Sequence, residues 1–96
     1  MNYSQQHETE IANIHTTRQF RQYYKGLGHA VLYGNYYAAT RYFWNNETQT
    51  KTYVAAIYAK TGRTVKLVFA LDDEYEDAGH ALFAALAAIN DAENNQ

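Results

Sequence analysis

Residues 36–71, YYAATRYFWNNETQTKTYVAAIYAKTGRTVKLVFAL, decide the fold. Runs rich in Val, Thr, Tyr, Phe and Trp are parted by polar turns at Asn45 to Gln49 and Lys60 to Arg63. These residue types suit a pleated, half-buried surface, so the runs read as strands over 36–45, 50–60 and 63–71. Gly62 marks the second turn, and two registers fit it. A two-residue loop sets Val54, Ala56 and Tyr58 on the face of Val65, Leu67 and Phe69, whereas a three-residue loop with a bulge sets Tyr53, Ala55 and Ile57 there. In the last strand Val65, Leu67, Phe69 and Leu71 alternate with Thr64, Lys66, Val68 and Ala70, which predicts that the first set faces the core.

Working outward, His29 to Tyr33 (HAVLY) precedes Gly34-Asn35, a pair that suits a type II′ hairpin into Tyr36. Residues 29–33 are therefore a first strand, the alternative being a continuation of the preceding helix. That helix starts at Thr16, where Thr16 and Gln19 form a capping box. Phe20, Tyr23, Tyr24 and Leu27 line its apolar side, Arg18, Arg21 and Lys25 point to solvent, and Gly26 and Gly28 close it. Residues 1–10 are polar, lack a period and are expected to fray without a function. After the strands, Asp72 and Asp73 offer a helix cap, with Glu74, Glu76 and Asp77 in the first turn. The stripe Tyr75, Ala78, Gly79, Leu82, Leu86 and Ile89 follows, and residues 91–96 are expected to fray. The expectation is one α+β domain over residues 1–96: an antiparallel meander of three to four strands with the N-terminal and C-terminal helices on one face.

A chain of 96 residues supports one core, burying roughly 60–65% of the unfolded surface. Apolar residues make up 47% and charged ones 19%, a globular balance. Ten Tyr are more than so small a core can hide, so several are expected at the surface. The absence of Cys excludes disulfides, thiolate zinc sites and cysteine nucleophiles. MNYSQQHETE has neither a basic nor an apolar leader region, and no apolar run approaches a membrane span, so a cytoplasmic protein is expected. Asn46-Glu47-Thr48 fits a glycosylation pattern but reads as a turn in such a protein. All eight bases lie between residues 11 and 71, where Glu47 is the only acid, a net +7; residues 72–96 carry −7 and Glu8 with Glu10 the remaining −2. Such asymmetry points to a polyanion or to a partner complementary to both poles.

Several candidate sites follow. The sheet face opposite Val65 and Leu67 would show Lys66 with neighbours among Arg41, Tyr42, Phe43, Trp44, Tyr53 and Tyr58, a platform on which bases stack while Lys and Arg neutralise phosphates. Because Val68, Ala70 and Ala55 or Ala56 fall on that face too, the favoured alternative covers both faces, one by a helix and the other by a second subunit or the N-terminal segment. The acidic patch Asp72, Asp73, Glu74, Glu76 and Asp77 could imitate phosphates, but lacks the ligand spacing of a calcium loop. His7, His15, His29 and His80 show no metal-site spacing, Ser4 has no nucleophile motif, and Gly26-Leu27-Gly28 is not a phosphate loop. No catalytic, cofactor or metal site is therefore expected.

Helix, antiparallel strands and an alanine-rich last helix resemble the double-stranded-RNA-binding domain in outline. That family places a Lys-rich motif where this chain has Asp72, Asp73, Glu74, Glu76 and Asp77, so duplex binding of that kind is not implied. In size, in Asn, Gln and Tyr usage and in lacking a catalytic motif, the chain resembles small phage and mobile-element inhibitors such as anti-CRISPR proteins. The resulting expectation is a binding protein rather than an enzyme, occupying a surface of another macromolecule through Arg18, Arg21, Lys25, Tyr36, Tyr37, Arg41, Tyr42, Trp44 and Lys66. The rival expectation is a nucleic-acid-binding module using the basic and aromatic sheet face. An uncovered sheet face or edge would also invite a second copy.

Overall fold

The computed structural model describes residues 2–94. Helices α1 (Tyr3–Ile11) and α2 (Thr17–Tyr24) precede strands β1 (Gly28–Tyr33), β2 (Tyr36–Asn45), β3 (Thr50–Thr61) and β4 (Thr64–Ala70), and α3 (Ala78–Asn94) follows. The strands pair antiparallel in chain order, the α+β meander the sequence predicts. Gly34 at φ +61°, with Asn35 on the negative side, meets the type II′ requirement, and β1 is a strand rather than a helix extension. Thr61 lies opposite Thr64, so the β3–β4 hairpin adopts the two-residue loop. Among the described residues no helix is long and apolar enough to cross a membrane.

The two helical ends do not share a face, which corrects the one-sided arrangement. Tyr37, Ala39, Ala56 and Tyr58 pack with Ile11, Ile14, Phe20 and Tyr24 from the N-terminal region. Their sequence neighbours Ala38, Ala55 and Ile57 pack with Ala81, Ala85 and Ile89 of α3. The physical reason lies in the central strands: Tyr37 to Arg41 and Val54 to Tyr58 are buried without a break, as in strands covered on both sides. Alanines at these positions let the helices approach closely.

The strict alternation expected of β4 also fails. Leu67 pairs with Tyr58 and Phe69 with Ile57, leaving Val68 as an extra, bulged residue. Val65 and Leu67 stay on the α1–α2 side, whereas Leu71 packs in the α3 cluster and Phe69 is left exposed.

The polar N-terminus forms α1 instead of fraying. Asn2 accepts from the Gln5 amide at 2.8 Å and the Gln5 side chain accepts from the Asn2 amide at 3.2 Å, a capping box. The buried positions are Ser4, His7 and Ile11, at helical spacing but mostly polar, which hydrophobic periodicity does not reveal. A second acceptor comes from the far end of the chain: Glu74 Oε2 takes the amides of Tyr3 at 2.7 Å and Ser4 at 3.3 Å. A carboxylate at a helix N-terminus satisfies orphan donors and complements the dipole. Glu74→Ala is therefore expected to cost about 1 kcal/mol in urea unfolding, against less than about 0.5 kcal/mol for the neighbouring exposed Glu76→Ala.

The expected helix start at Asp72 is corrected as well. Tyr75 and Tyr53 exchange both backbone hydrogen bonds, at 2.7 and 2.8 Å, extending the sheet beyond the end of β4. Those ladder bonds hold residues 72–76 out of the helix, and Asp77 becomes the cap, accepting from Gly79 at 2.6 Å and His80 at 3.1 Å. The buried stripe is then Ala81, Ala85 and Ile89 rather than one starting at Tyr75. Residues 91–94, expected to fray, belong to α3; residues 1, 95 and 96 lie outside the described ones.

Candidate macromolecule-binding surface

Helices pack on both faces of the sheet, and the residues expected to anchor another macromolecule separate. Tyr37 is buried beneath Phe20, ring centroids 4.5 Å apart. Arg41 is only 8% exposed. These two are corrected from surface anchors to core residues. Tyr36 is half-buried against the α3 cluster. Tyr42 is half-buried with the Lys51 ammonium 4.4 Å from its ring centroid, and Trp44, 50% exposed, stands near the end of the same strand on the same face. Lys66 is exposed on β4. Arg18 and Arg21 on α2 and Lys25 at its C-terminal cap are exposed, as the sequence predicts.

Arg41 turns inward because α1 and α2 supply Glu10 and Tyr23 as its partners. Its Nη1 donates to Glu10 at 3.1 Å and to the Tyr23 hydroxyl at 2.9 Å, Nε and Nη2 donate to the Tyr42 carbonyl, and the guanidinium lies 3.7 Å from the Phe43 ring centroid. Tyr3 stacks on that same ring at 5.1 Å. Tyr23 in turn donates to Glu10 at 2.8 Å, and burial pushes its hydroxyl up to about 12. Beside this ion pair, His7 Nε2 meets the Tyr24 hydroxyl at 2.9 Å, which meets the Tyr58 hydroxyl at 2.9 Å. His7 is fully buried, its Nδ1 has no hydrogen-bond partner among the described residues, and burial followed by the nearby Arg41 charge lowers its pKa to about 4. Burial raises the hydroxyls of Tyr24 and Tyr58 as well. Displaced pKa values often mark active sites, but His7, Tyr24 and Tyr58 are buried where α1 and α2 meet the sheet, and there they tie the helices to it. Hydrophobic patterning missed the network because its members come from four separate elements, α1, α2, β2 and β3.

Of the acidic run, Glu74 and Asp77 serve as helix caps while Asp72, Asp73 and Glu76 remain exposed. His15, His29 and His80 are exposed and apart, and Ser4 donates to Asn2 within α1. Among the described residues no three His, Asp or Glu side chains gather as a metal site.

The two sheet edges differ in kind. Along β4 the outer edge is occupied at its start: Val65 donates to the His15 carbonyl and Thr17 to the Arg63 carbonyl, both at 2.9 Å. Lys66 and the bulge at Val68 obstruct the remainder. The β1 edge has no such guard. It carries no Lys, Arg, Asp or Glu, and Val31, Leu32 and Tyr33 are exposed, Leu32 by 52%. HAVLY as the first strand of a meander was the sequence signal for this edge. Comparison with family models, with curated proteins and with solved structures finds no match for the chain. Fold and surface thus define a small three-layered α+β scaffold, a sheet between helices, with a hydrogen-bonded polar network inside and Tyr33, Trp44, Phe69 and Phe83 at the surface.

Proposed function

We propose that this protein is a non-enzymatic binding protein that acts by occupying a surface of another macromolecule, in the manner of phage and mobile-element inhibitors of defence complexes. The observation that carries this reading is the single Trp, Trp44, half-exposed beside the Tyr42–Lys51 pair while the polar chain His7, Tyr24 and Tyr58 is sealed in the core. Trp and Tyr in such settings are the residue types that anchor interfaces. A nuclease-treated pull-down is expected to recover one stoichiometric protein partner, and Trp44→Ala to weaken its binding by on the order of 30-fold. Equal binding by a folded Trp44→Ala variant would remove Trp44 from the interface.

A second reading, nucleic-acid binding, is favoured by the exposed bases Arg18, Arg21 and Lys25, none of which forms an ion pair among the described residues. It predicts oligonucleotide affinity that falls steeply with salt and is lost when all three are changed to Ala. Arg41, one of the residues expected on an open sheet face, is buried, so this reading rests on the α2 side of the molecule instead.

A further inference from the structure

We propose that the β1 edge is occupied by β1 of a second copy, joining two sheets antiparallel across a two-fold axis. This inference stands independently of the partner surface at Trp44. The alternation of an antiparallel ladder identifies which backbone groups are free. The Tyr42 amide donates to the Leu27 carbonyl at 2.9 Å, so odd-numbered residues of this segment turn their hydrogen-bonding groups toward β2. Gly28, Ala30 and Leu32 then turn theirs outward, to the open side. A row of unpaired donors and acceptors is a template for another strand.

The edge is suited to a copy of itself. A two-fold axis normal to the sheet keeps each face continuous, so residues placed opposite one another must share parity. With the axis at Ala30, Gly28 lies opposite Leu32 of the second copy and Ala30 opposite its own equivalent. Every outward N–H and C=O of Gly28, Ala30 and Leu32 then finds a partner. The strand has no formal charge at neutral pH to repel its equivalent. The fold itself singles out this edge, since residues 15–17 and the Val68 bulge obstruct the other one.

Sedimentation of the intact chain tests the proposal. The expected species at micromolar concentration has twice the 11.0 kDa chain mass. Ala30→Pro removes an outward N–H and spares the β1–β2 ladder, and Leu32→Lys adds a charge at the junction. Each is expected to yield folded monomer by circular dichroism and sedimentation, with Leu32→Lys deciding if Ala30→Pro does not fold. Because the chain has no Cys, Ala30→Cys is expected to form a disulfide-linked dimer under mild oxidation, its Cα atoms lying about 5.5 Å apart across the axis, whereas Val68→Cys is not. A wild-type monomer at every concentration up to about 100 μM, a dimer unchanged by Leu32→Lys, or an edge protected from amide exchange only by another protein's extended peptide would each overturn the proposal.

Discussion

Gly28→Ala is expected to cost about 3 kcal/mol, the upper end of overpacking, and to lower Tm by on the order of 15 °C. Gly28 does not occupy a left-handed conformation; it is required because β2 passes too close. A Cβ built there would collide with the Thr40 carbonyl oxygen and lie 2.6 Å from Arg41 Cα and 2.7 Å from Thr40 C. All three atoms are backbone of a central strand, so no side chain can rotate away. Relief would require β2 to move where it places Arg41 beside Glu10 and Tyr23. Gly26 is the matched control, with φ +76° and nothing within 4 Å of an added Cβ. Gly26→Ala meets only left-handed strain, about 1–2 kcal/mol. Urea unfolding of the two variants should rank them in that order. Equal losses would show that close approach at Gly28 is relieved without cost.

Acidification is expected to destabilise the protein in a window that belongs to His7. Above pH 6.5 the imidazole is neutral folded and unfolded, and contributes no slope. Below it the unfolded chain takes up a proton that the folded state refuses until about pH 4, because protonation would bury an uncompensated cation near Arg41. Stability should therefore fall by about 1.4 kcal/mol per pH unit across this interval, roughly 3 kcal/mol in all. Glu10 acts lower on the scale. Burial alone would raise its carboxyl, but hydrogen bonds from Gln6 and Tyr23 and the Arg41 charge hold it below 4.5. Its stabilising effect, reduced by solvent exposure, is lost only as pH falls through that depressed value. The groups facing His7 include the rings of Tyr23 and Tyr24 and the charges of Arg41 and Glu10. His7→Gln keeps a polar side chain without a titrating proton, so its unfolding free energy should be markedly flatter between pH 6.5 and 4.5. Parallel pH profiles for the two proteins would exclude His7 as the source.

What the sequence by itself determined is local. Gly34 and Gly62 placed two of the three hairpin turns, Thr16 with Gln19 capped α2, and the β-branched and aromatic runs placed the strands, because turn, cap and strand preferences act over a few residues. Tertiary structure alone decided the rest. The frayed reading of residues 1–10 failed because α1 is held by groups far along the chain: Tyr24 for His7, Arg41 for Glu10 and Glu74 for its first amides. Asp72 to Glu76 satisfied every local rule for a helix start, yet the backbone of Tyr53 offered Tyr75 a ladder partner. Arg41 and Trp44 lie near each other on one strand, and composition made both candidate anchors. The strand's pleat sent Trp44 toward solvent and Arg41 beneath α1, where Glu10, Tyr23 and Phe43 surround it. A side chain's tendency is written in its own chemistry, but whether it meets water or a partner depends on which distant segment packs against it.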